Sequence, residues 1–244
     1  MWTKEQISDH VKAAKNLTDI KDLAFQHIRE NNDISEYELQ QFIMKKIKEF
    51  KMISDKDAPI VAFRENTGIV HYFPNKDSKK LKAESLILID IWAKLNKENA
   101  PFADITWMGY KGNNFGDMEK IFNIVIKARD LCIEFIESKL RNNKDVIGEE
   151  ADAVCRDIIS KQGYEKEFKH TTGHSLGITE VHGPEKNRLA KNSNQPLSKN
   201  MGYTIEPGIY LKNRFGVRSE IDFYISENNK LIITTDMQKE IVKI

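Results

Sequence analysis

With 244 residues, 38 of them basic and 37 acidic, the chain has a net charge of +1 and no overall field that would favour nucleic acid or an anionic membrane. Apolar residues make up 40% and charged residues 31%, which excludes a disordered chain and is enough for a substantial core. The start lacks a signal-peptide core, no apolar run approaches the roughly 20 residues of a membrane span, and Cys132 and Cys155 lie outside any CxxC motif. We therefore expect a cytoplasmic protein with reduced thiols.

The chain opens with two helical patterns. Apolar residues recur at spacings of three and four over 4–30, and a capping box of Ser35 and Glu38 predicts the start of a second helix. The stretch 59–63 then predicts a strand, which is followed by a turn and by a second short strand that carries His71.

A buried hairpin is predicted next. The run SLILID, which ends at Asp90, shows no alternation of apolar and polar residues, so it is expected to be buried on both faces. FADITWMGY, which holds Asp104, is its predicted partner strand. The aromatic residues Trp92, Trp107 and Tyr110 are expected to pack, and Trp107 is also a candidate for lining a pocket beside Asp104.

The second half of the chain repeats this order. A long helix is predicted over 117–141, a further amphipathic helix ends at Gly163, and the remainder is rich in strand patterns. Helices followed by strands, twice over, predict an α+β fold of two similar halves, about 1–115 and 116–244, with helices outside and strands inside. Acidic and His residues fall in the strand part of both halves, so a site between the halves is expected.

Four carboxylates, Asp90, Asp104, Glu206 and Glu220, are set in apolar, strand-like runs, where a charge is costly unless it is compensated. Asp104 or Glu220 alone is better explained as a surface charge. Together with the imidazole of His174, however, the four acids match the charge of two divalent cations. This ligand set suits Mn, Fe(II), Co or Zn, and two such ions about 3.5–4 Å apart can activate a bridging water.

The motifs around these residues are TGHSLG at 172–177, EVHG at 180–183, TIEPGIY at 204–210 and GVRSEI at 216–221. They resemble those of the metallopeptidases that share the pita-bread fold: methionine aminopeptidase, aminopeptidase P, prolidase and the non-peptidase creatinase. The resemblance covers essentially the whole chain and implies a single catalytic domain over 1–244 with no separate N-terminal domain. It also implies that two divalent metal ions (Mn, Co, Zn or Fe) are ligated by Asp90, Asp104, His174, Glu206 and Glu220.

The details resemble the Xaa-Pro branch of that family. HTTGH places His170 four residues before His174, and GVRSE places Arg218 two residues before Glu220, on the same face of a strand. The resemblance implies an exopeptidase, either an aminopeptidase or a dipeptidase, that uses a metal-bridging hydroxide to hydrolyse the bond between an N-terminal residue and proline. Methionine aminopeptidase, creatine-like amidine hydrolysis and an inactive peptide- or protein-binding module are the alternatives.

The resemblance also implies roles for individual residues. Glu206 would accept the proton of the bridging water while ligating metal, and His71 and His182 would hydrogen-bond the scissile carbonyl, the oxyanion or the leaving amine. His170 would line the pocket for the proline side, and Arg218 would hold a metal-binding or substrate carboxylate. For each His taken alone, a core or surface residue with satisfied hydrogen bonds is the competing interpretation.

Few partners are expected beyond a peptide substrate. The polar, Lys-rich stretch 186–200 lacks interleaved aromatic residues, so it is predicted to be a solvated loop and not a nucleic-acid surface. No membrane partner is expected, and a homodimer is suggested by the family alone.

Overall fold

Four long helices form two pairs, and each pair precedes a group of strands. The structure is a computed structural model that describes residues 1–183 and 188–244, so the first two residues of the predicted loop 186–200 lie outside the described residues. The helices confirm the helical patterns of the sequence; their bounds are α1 Lys4–Glu30, α2 Glu36–Glu49, α3 Asp117–Arg141 and α4 Gly148–Lys161. No helix in the described ranges has the length and hydropathy needed to cross a membrane.

The predicted capping box begins α2. The Ser35 hydroxyl accepts a hydrogen bond from the Glu38 backbone N–H at 3.2 Å, and the Ser35 N–H donates to the Glu38 carboxylate at 2.8 Å. These two bonds satisfy backbone donors that a helix start leaves open. The start of α2 is therefore fixed by contacts between residues that are close in the sequence.

Ten strands are present in the described residues. They are β1 Met52–Ile53, β2 Ile60–Phe63, β3 Ser85–Leu95, β4 Ala103–Lys111, β5 Gly202–Ile205, β6 Gly208–Leu211, β7 Phe215–Arg218, β8 Ile221–Ile225, β9 Leu231–Ile233 and β10 Val242–Lys243. The predicted hairpin is β3–β4, and β1 and β2 both pair antiparallel with β3. In the second half, β5, β8 and β9 form one sheet, and β6 and β7 form a second hairpin.

Both faces of the β3–β4 hairpin are covered. Ile87, Ile89 and Ile91 on one face pack in a core with residues of α1 and α2. Leu86 and Leu88 on the other face pack in a second core with residues of α3, α4, β5 and β8. This arrangement explains why β3 is apolar at nearly every position, and it directs one face of the hairpin toward the second half of the chain.

The C-terminal residues cover the free edge of β4. Strand β10 pairs parallel with β4 at Gly109 and Tyr110. Next to this pair, the Gln238 side-chain amide both accepts from the Met108 N–H at 2.8 Å and donates to the Met108 carbonyl at 2.6 Å. Two residues are too short a stretch to show a strand pattern, and β10 was not predicted.

The predicted strand that carries His71 is absent, which corrects the sequence interpretation. After β2 the chain forms a 3₁₀ helix, Arg64–Gly68, and His71 lies in the turn that follows. The physical reason is a local turn: the Ile69 N–H donates to the Asn66 carbonyl at 3.0 Å and closes the 3₁₀ helix, while the Asn66 and Tyr72 side chains are bound by the Glu36 carboxylate. A backbone N–H that is used in a local turn is not available to a strand ladder.

His10 in α1 predicts a pH-dependent contribution to stability. Its ring is buried, with Nδ1 2.9 Å from the Phe102 carbonyl oxygen and Nε2 2.7 Å from the Thr234 hydroxyl. Burial lowers the pKa of His10 to about 4, although the hydrogen bond to Phe102 opposes this shift. Between the folded pKa and the unfolded value of 6.5 the folded state binds fewer protons than the unfolded state, so stability falls as the pH falls through this window. The contribution of His10 should amount to at most about 3 kcal/mol.

Urea unfolding at a series of pH values measures this effect. The variant His10→Gln keeps a hydrogen-bonding side chain that does not titrate, so its free energy of unfolding should depend less steeply on pH between about 4 and 6.5 than that of the parent protein. Equal slopes in the two proteins would show that His10 does not carry the effect.

Candidate metal centre

A cleft between the β3–β4 hairpin and the strands of the second half collects the predicted site residues. The residues of the predicted set that line it are Asp90, Asp104, His174, Glu206, Glu220, His71, His182 and Arg218. His170 does not line this cleft and instead lies behind Glu206, with its Nδ1 3.9 Å from Glu206 Oε2. Eight of the nine predicted residues therefore line the cleft, and the ninth contacts one of them.

Strand register places the two aspartates on one face. Asp90 in β3 lies opposite Thr106 in β4, and Trp92 lies opposite Asp104. Because cross-strand partners share a face and side chains alternate along a strand, both aspartates point to the side of the second half. Trp92 shares that face and lines the cleft.

The same alternation agrees with the expected packing of Trp107 and rules out its alternative position in a pocket beside Asp104. Trp107 directly follows Thr106 in β4, so its ring lies on the opposite face of the hairpin. There it packs beneath the ammonium group of Lys21 in α1, with 3.8 Å between the nitrogen and the ring centroid. The pocket aromatic of this hairpin is Trp92.

The two glutamates extend a strand pair by one residue. Ile205 ends β5 and lies opposite Ile221, which begins β8. Glu206 comes directly after Ile205 and Glu220 directly before Ile221, so the two glutamates lie side by side at the same end of this antiparallel pair. The Thr204 hydroxyl donates to Glu206 Oε1 at 3.0 Å, and the Thr106 hydroxyl donates to Glu220 Oε2 at 2.7 Å. Each carboxylate is thus oriented by a neighbouring threonine.

His174 is presented by a loop that lies directly on β5. A Cβ at Gly173 would come within 2.0 Å of the Thr204 carbonyl oxygen, so only glycine allows this approach. The His174 backbone N–H donates to the Thr204 hydroxyl at 3.0 Å. Its ring Nδ1 lies 2.9 Å from the Ser175 carbonyl, and a carbonyl can only accept, so Nδ1 carries the proton. The lone pair of Nε2 therefore faces Asp104 at 3.7 Å and Glu206 at 3.5 Å.

The cluster carries more negative charge than the protein compensates. Burial, reinforced by neighbouring carboxylates, raises the pKa of Asp104 and of Glu220 well above the ordinary values. Burial also favours a raised pKa for Glu206, but His174, His170 and Arg218 outweigh it and lower the pKa of Glu206 below its ordinary value. A carboxylate that ionises easily therefore stands beside two that resist ionisation.

These residues fit divalent cations. Ligand atoms of Asp104, His174 and Glu220 lie within 4.8 Å of one another. Asp104 Oδ1 is buried and has no hydrogen-bond partner among the described residues, so this acceptor is left uncompensated by the protein. Oxygen ligands with one imidazole, a fixed His tautomer and an uncompensated buried acceptor are what a site for Mn, Fe(II), Co or Zn requires.

Arg218, the last residue of β7, binds Asp90. Its Nη2 donates to Asp90 Oδ2, its Nε donates to the Thr106 hydroxyl at 2.9 Å, and its Nη1 donates to the Tyr210 hydroxyl at 3.3 Å. The guanidinium is buried, so the ion pair is little screened by solvent. Of the two expectations for Arg218, a protein carboxylate is the partner that the geometry provides.

The three histidines beside the cluster differ in their surroundings. His182 is exposed, and its ring lies edge-on to that of His174 with centroids 4.2 Å apart. His71 is exposed at the cleft. His170 is held by the Tyr210 hydroxyl, 2.8 Å from Nε2, and by the Thr171 carbonyl, 2.8 Å from Nδ1; burial lowers the pKa of His170 to about 4. The contact with Glu206 makes His170 a neighbour of the cluster and not a wall of the cleft.

Some residues that shape the site were not singled out in the sequence. Tyr210 links His170 to Arg218, and the sequence gives no signal for this contact. Asp222 is fully buried and accepts a hydrogen bond from the Asp104 N–H at 2.8 Å. Asp222 had a signal, because it lies two residues after Glu220 and strand alternation places both on one face.

A pita-bread fold with buried carboxylates and one imidazole at the junction of its halves defines a class of metallopeptidases. Residues 10–227 match metallopeptidase family M24, and the chain belongs to this family.

Solved structures of similar fold carry more specific names. A prolidase from Thermococcus sibiricus has a TM-score of 0.85 and 31% identity, and the match covers 100% of this chain and 62% of that one. An X-Pro aminopeptidase from Thermotoga maritima has a TM-score of 0.87 and 25% identity, with coverage of 100% and 64%. An uncharacterized peptidase of Methanocaldococcus jannaschii is 30% identical over 230 residues, which are 91% of this chain and 60% of that protein. This chain thus spans less than two thirds of the length of these relatives.

Divalent cations are expected to stabilise the protein, because they would relieve the repulsion among the buried carboxylates. Cation at a hundredfold excess over its dissociation constant should add about 2.7 kcal/mol to the free energy of unfolding. Thermal unfolding of chelator-treated protein, with and without Mn²⁺, Co²⁺ or Zn²⁺, measures the shift.

Asp104→Asn should lose most of this stabilisation, since it removes a charge from the cluster. Asp117→Asn is the matched control, because Asp117 is an exposed aspartate at the start of α3 that pairs with Arg214. A shift of equal size in both variants would place the cation elsewhere.

Proposed function

We propose that this chain is the catalytic part of a dinuclear metal-dependent exopeptidase that hydrolyses the bond between an N-terminal residue and proline. The observation that carries the proposal is the convergence of four carboxylates and the His174 imidazole in one cleft, with a buried Asp104 oxygen that has no hydrogen-bond partner in the described residues. Membership of metallopeptidase family M24 supports the reaction class. Asp90, Asp104, His174, Glu206 and Glu220 would hold the two ions.

Two bound cations would supply Lewis acidity and lower the pKa of a water between them. Glu206 would accept the proton of the attacking water, for which its carboxylate must be ionised when the water attacks. The Thr204 hydroxyl donates to Glu206 Oε1, which holds the carboxylate plane in place. His182 and His71 at the cleft would donate hydrogen bonds to the oxyanion or to the leaving amine.

The Xaa-Pro assignment is supported by the relatives and by residues near the cluster. The names of solved structures similar to this chain include prolidase, Xaa-Pro dipeptidase and X-Pro aminopeptidase. HTTGH supplies His170 behind Glu206, and GVRSE supplies Arg218 on Asp90. Proline makes the scissile bond a tertiary amide with no N–H, so a site for it cannot depend on that donor.

Further parts of the proposal concern the chain as a whole. We infer that 1–244 acts as one catalytic domain with halves of about 1–115 and 116–244, since the cleft draws its lining from both. The cytoplasm is the proposed compartment, where the buried thiols of Cys132 and Cys155 would stay reduced.

Substrate choice and metal content together test the proposal. Purified protein should hold about two divalent ions per chain and release alanine from Ala-Pro while leaving Met-Ala intact. Cleavage of Met-Ala and not of Ala-Pro would identify a methionine aminopeptidase. Absence of both metal and cleavage would identify a peptide- or protein-binding module.

Glu206→Gln tests the proton acceptor. Loss of the carboxylate should lower kcat by about 10²–10⁴-fold in Ala-Pro hydrolysis, which is the usual range for a general base. Metal content measured on the same sample separates this effect from loss of a ligand. Glu180→Gln is the matched control, because Glu180 lines the same cleft but is exposed and pairs with Lys56 at the surface. Near-normal turnover by Glu206→Gln would rule out the role.

A further inference from the structure

We propose that Glu36, in the first turn of α2, is a positioning residue that fixes His71 at the cleft by binding the loop on which His71 stands. The inference rests on the proposed function, in which His71 faces the substrate. Glu36 itself does not line the cleft, and no sequence motif singles it out beyond its place in a helix. Its contacts assign the role.

The Glu36 carboxylate is fully buried and accepts hydrogen bonds from four residues of one segment. Oε1 accepts from the Phe63 N–H at 2.6 Å and from the Asn66 amide at 2.9 Å. Oε2 accepts from the same amide at 3.0 Å, from the Tyr72 hydroxyl at 2.7 Å and from the Lys79 backbone N–H at 3.2 Å. The donors come from the start, the middle and the end of the segment 63–79.

All of these donors are neutral. No Lys, Arg or His of the described chain forms an ion pair with Glu36, so its compensation comes entirely from hydrogen bonds. A buried carboxylate is costly when it loses donors, and each neutral donor left without an acceptor adds to that cost. The carboxylate and the conformation of 63–79 therefore stabilise each other. Loss of the carboxylate would remove hydrogen bonds at both ends and in the middle of this loop.

His71 depends on this loop for its place. Tyr72, whose hydroxyl binds Glu36, is its neighbour in the chain, and His71 and Phe73 both line the cleft. In the parts of the chain that the structure describes, no protein group forms a hydrogen bond with the His71 ring. The ring is thus located by its backbone, and the backbone is located by Glu36.

The same loop also touches the strand that ends in Arg218. The Gly216 N–H in β7 donates to the Thr67 hydroxyl at 2.9 Å. A Cβ at Gly216 would approach the Thr67 carbonyl oxygen to 2.3 Å, so the two backbones are in direct contact. Glu36 on one side and β7 on the other therefore hold the loop beside the cleft.

The variant Glu36→Gln tests the inference, because it keeps the size of the side chain and replaces an acceptor oxygen by a donor nitrogen. We expect kcat/KM for Ala-Pro to fall at least about tenfold, since small displacements of an active-site group carry losses of this order. Glu38→Gln is the matched control: Glu38 lies on the same helical turn, is exposed, and binds only Ser35 of the capping box. It should weaken the start of α2 without lowering kcat/KM to this extent.

A double-mutant cycle with His71→Ala separates positioning from general destabilisation. If Glu36 acts through His71, then Glu36→Gln should cost little further activity in the His71→Ala background. Equal fold-losses in both backgrounds would overturn the inference. Should Glu36→Gln fail to fold, Tyr72→Phe removes a single donor of the set and is expected to show the same dependence on His71 with a smaller loss.

The ring resonances of His71 in the NMR spectrum give a readout that needs no turnover. Glu36→Gln should shift or broaden them, whereas Glu38→Gln should leave them in place. Unchanged resonances in Glu36→Gln would refute the positioning role. If the parent protein cleaves no Ala-Pro, the proposed function fails, and the resonances still decide the role of Glu36.

Discussion

The crowding of like charges in a buried cleft is the constraint on which the rest of the structure depends. Asp104 and Glu220 are both buried; burial raises the pKa of each, and the Asp104 carboxylate adds to the rise at Glu220. Charges in such a place are tolerated only where compensation is built around them. Here Arg218 binds Asp90, threonine hydroxyls orient the glutamates, and His174 presents one lone pair. The remaining deficit of positive charge is what a bound divalent cation would supply.

The β3–β4 hairpin determines where the buried carboxylates lie in the fold. One face of β3 packs against the first helix pair, and the other face, which carries Asp90, meets the second half of the chain. Because Glu206 and Glu220 approach that face from β5 and β8, the cluster can assemble only where the two halves meet. The position of the site is thus a consequence of which elements cover which face of one hairpin.

Local signals predicted the elements that depend on local forces. The helices followed from the 3.6-residue period and the capping box at Ser35, and the hairpin followed from the continuous apolar run before Asp90. The strand expected at His71 was wrong because the chain before it closes into a 3₁₀ helix and the Asn66 and Tyr72 side chains are bound by Glu36, 30 and 36 positions away in the sequence. Packing of Trp107 was predicted correctly, but its alternative place in the pocket was wrong because its distance from Asp104 along the chain was considered without the alternation of the strand. Tyr210 and Glu36 were missed because their partners come from remote parts of the chain.

The pairing of β10 and Gln238 with the edge of β4 has a consequence for folding during synthesis. Gln238 and β10 occupy hydrogen-bonding groups of Met108, Gly109 and Tyr110, although more than 120 residues separate the two segments in the sequence. A nascent chain leaving the ribosome therefore completes α1, α2 and the hairpin long before the last residues that shield this edge are synthesised. During that interval an unpaired strand edge is open to contact with other chains. Aggregation during translation is accordingly the hazard to which this order of assembly exposes the protein.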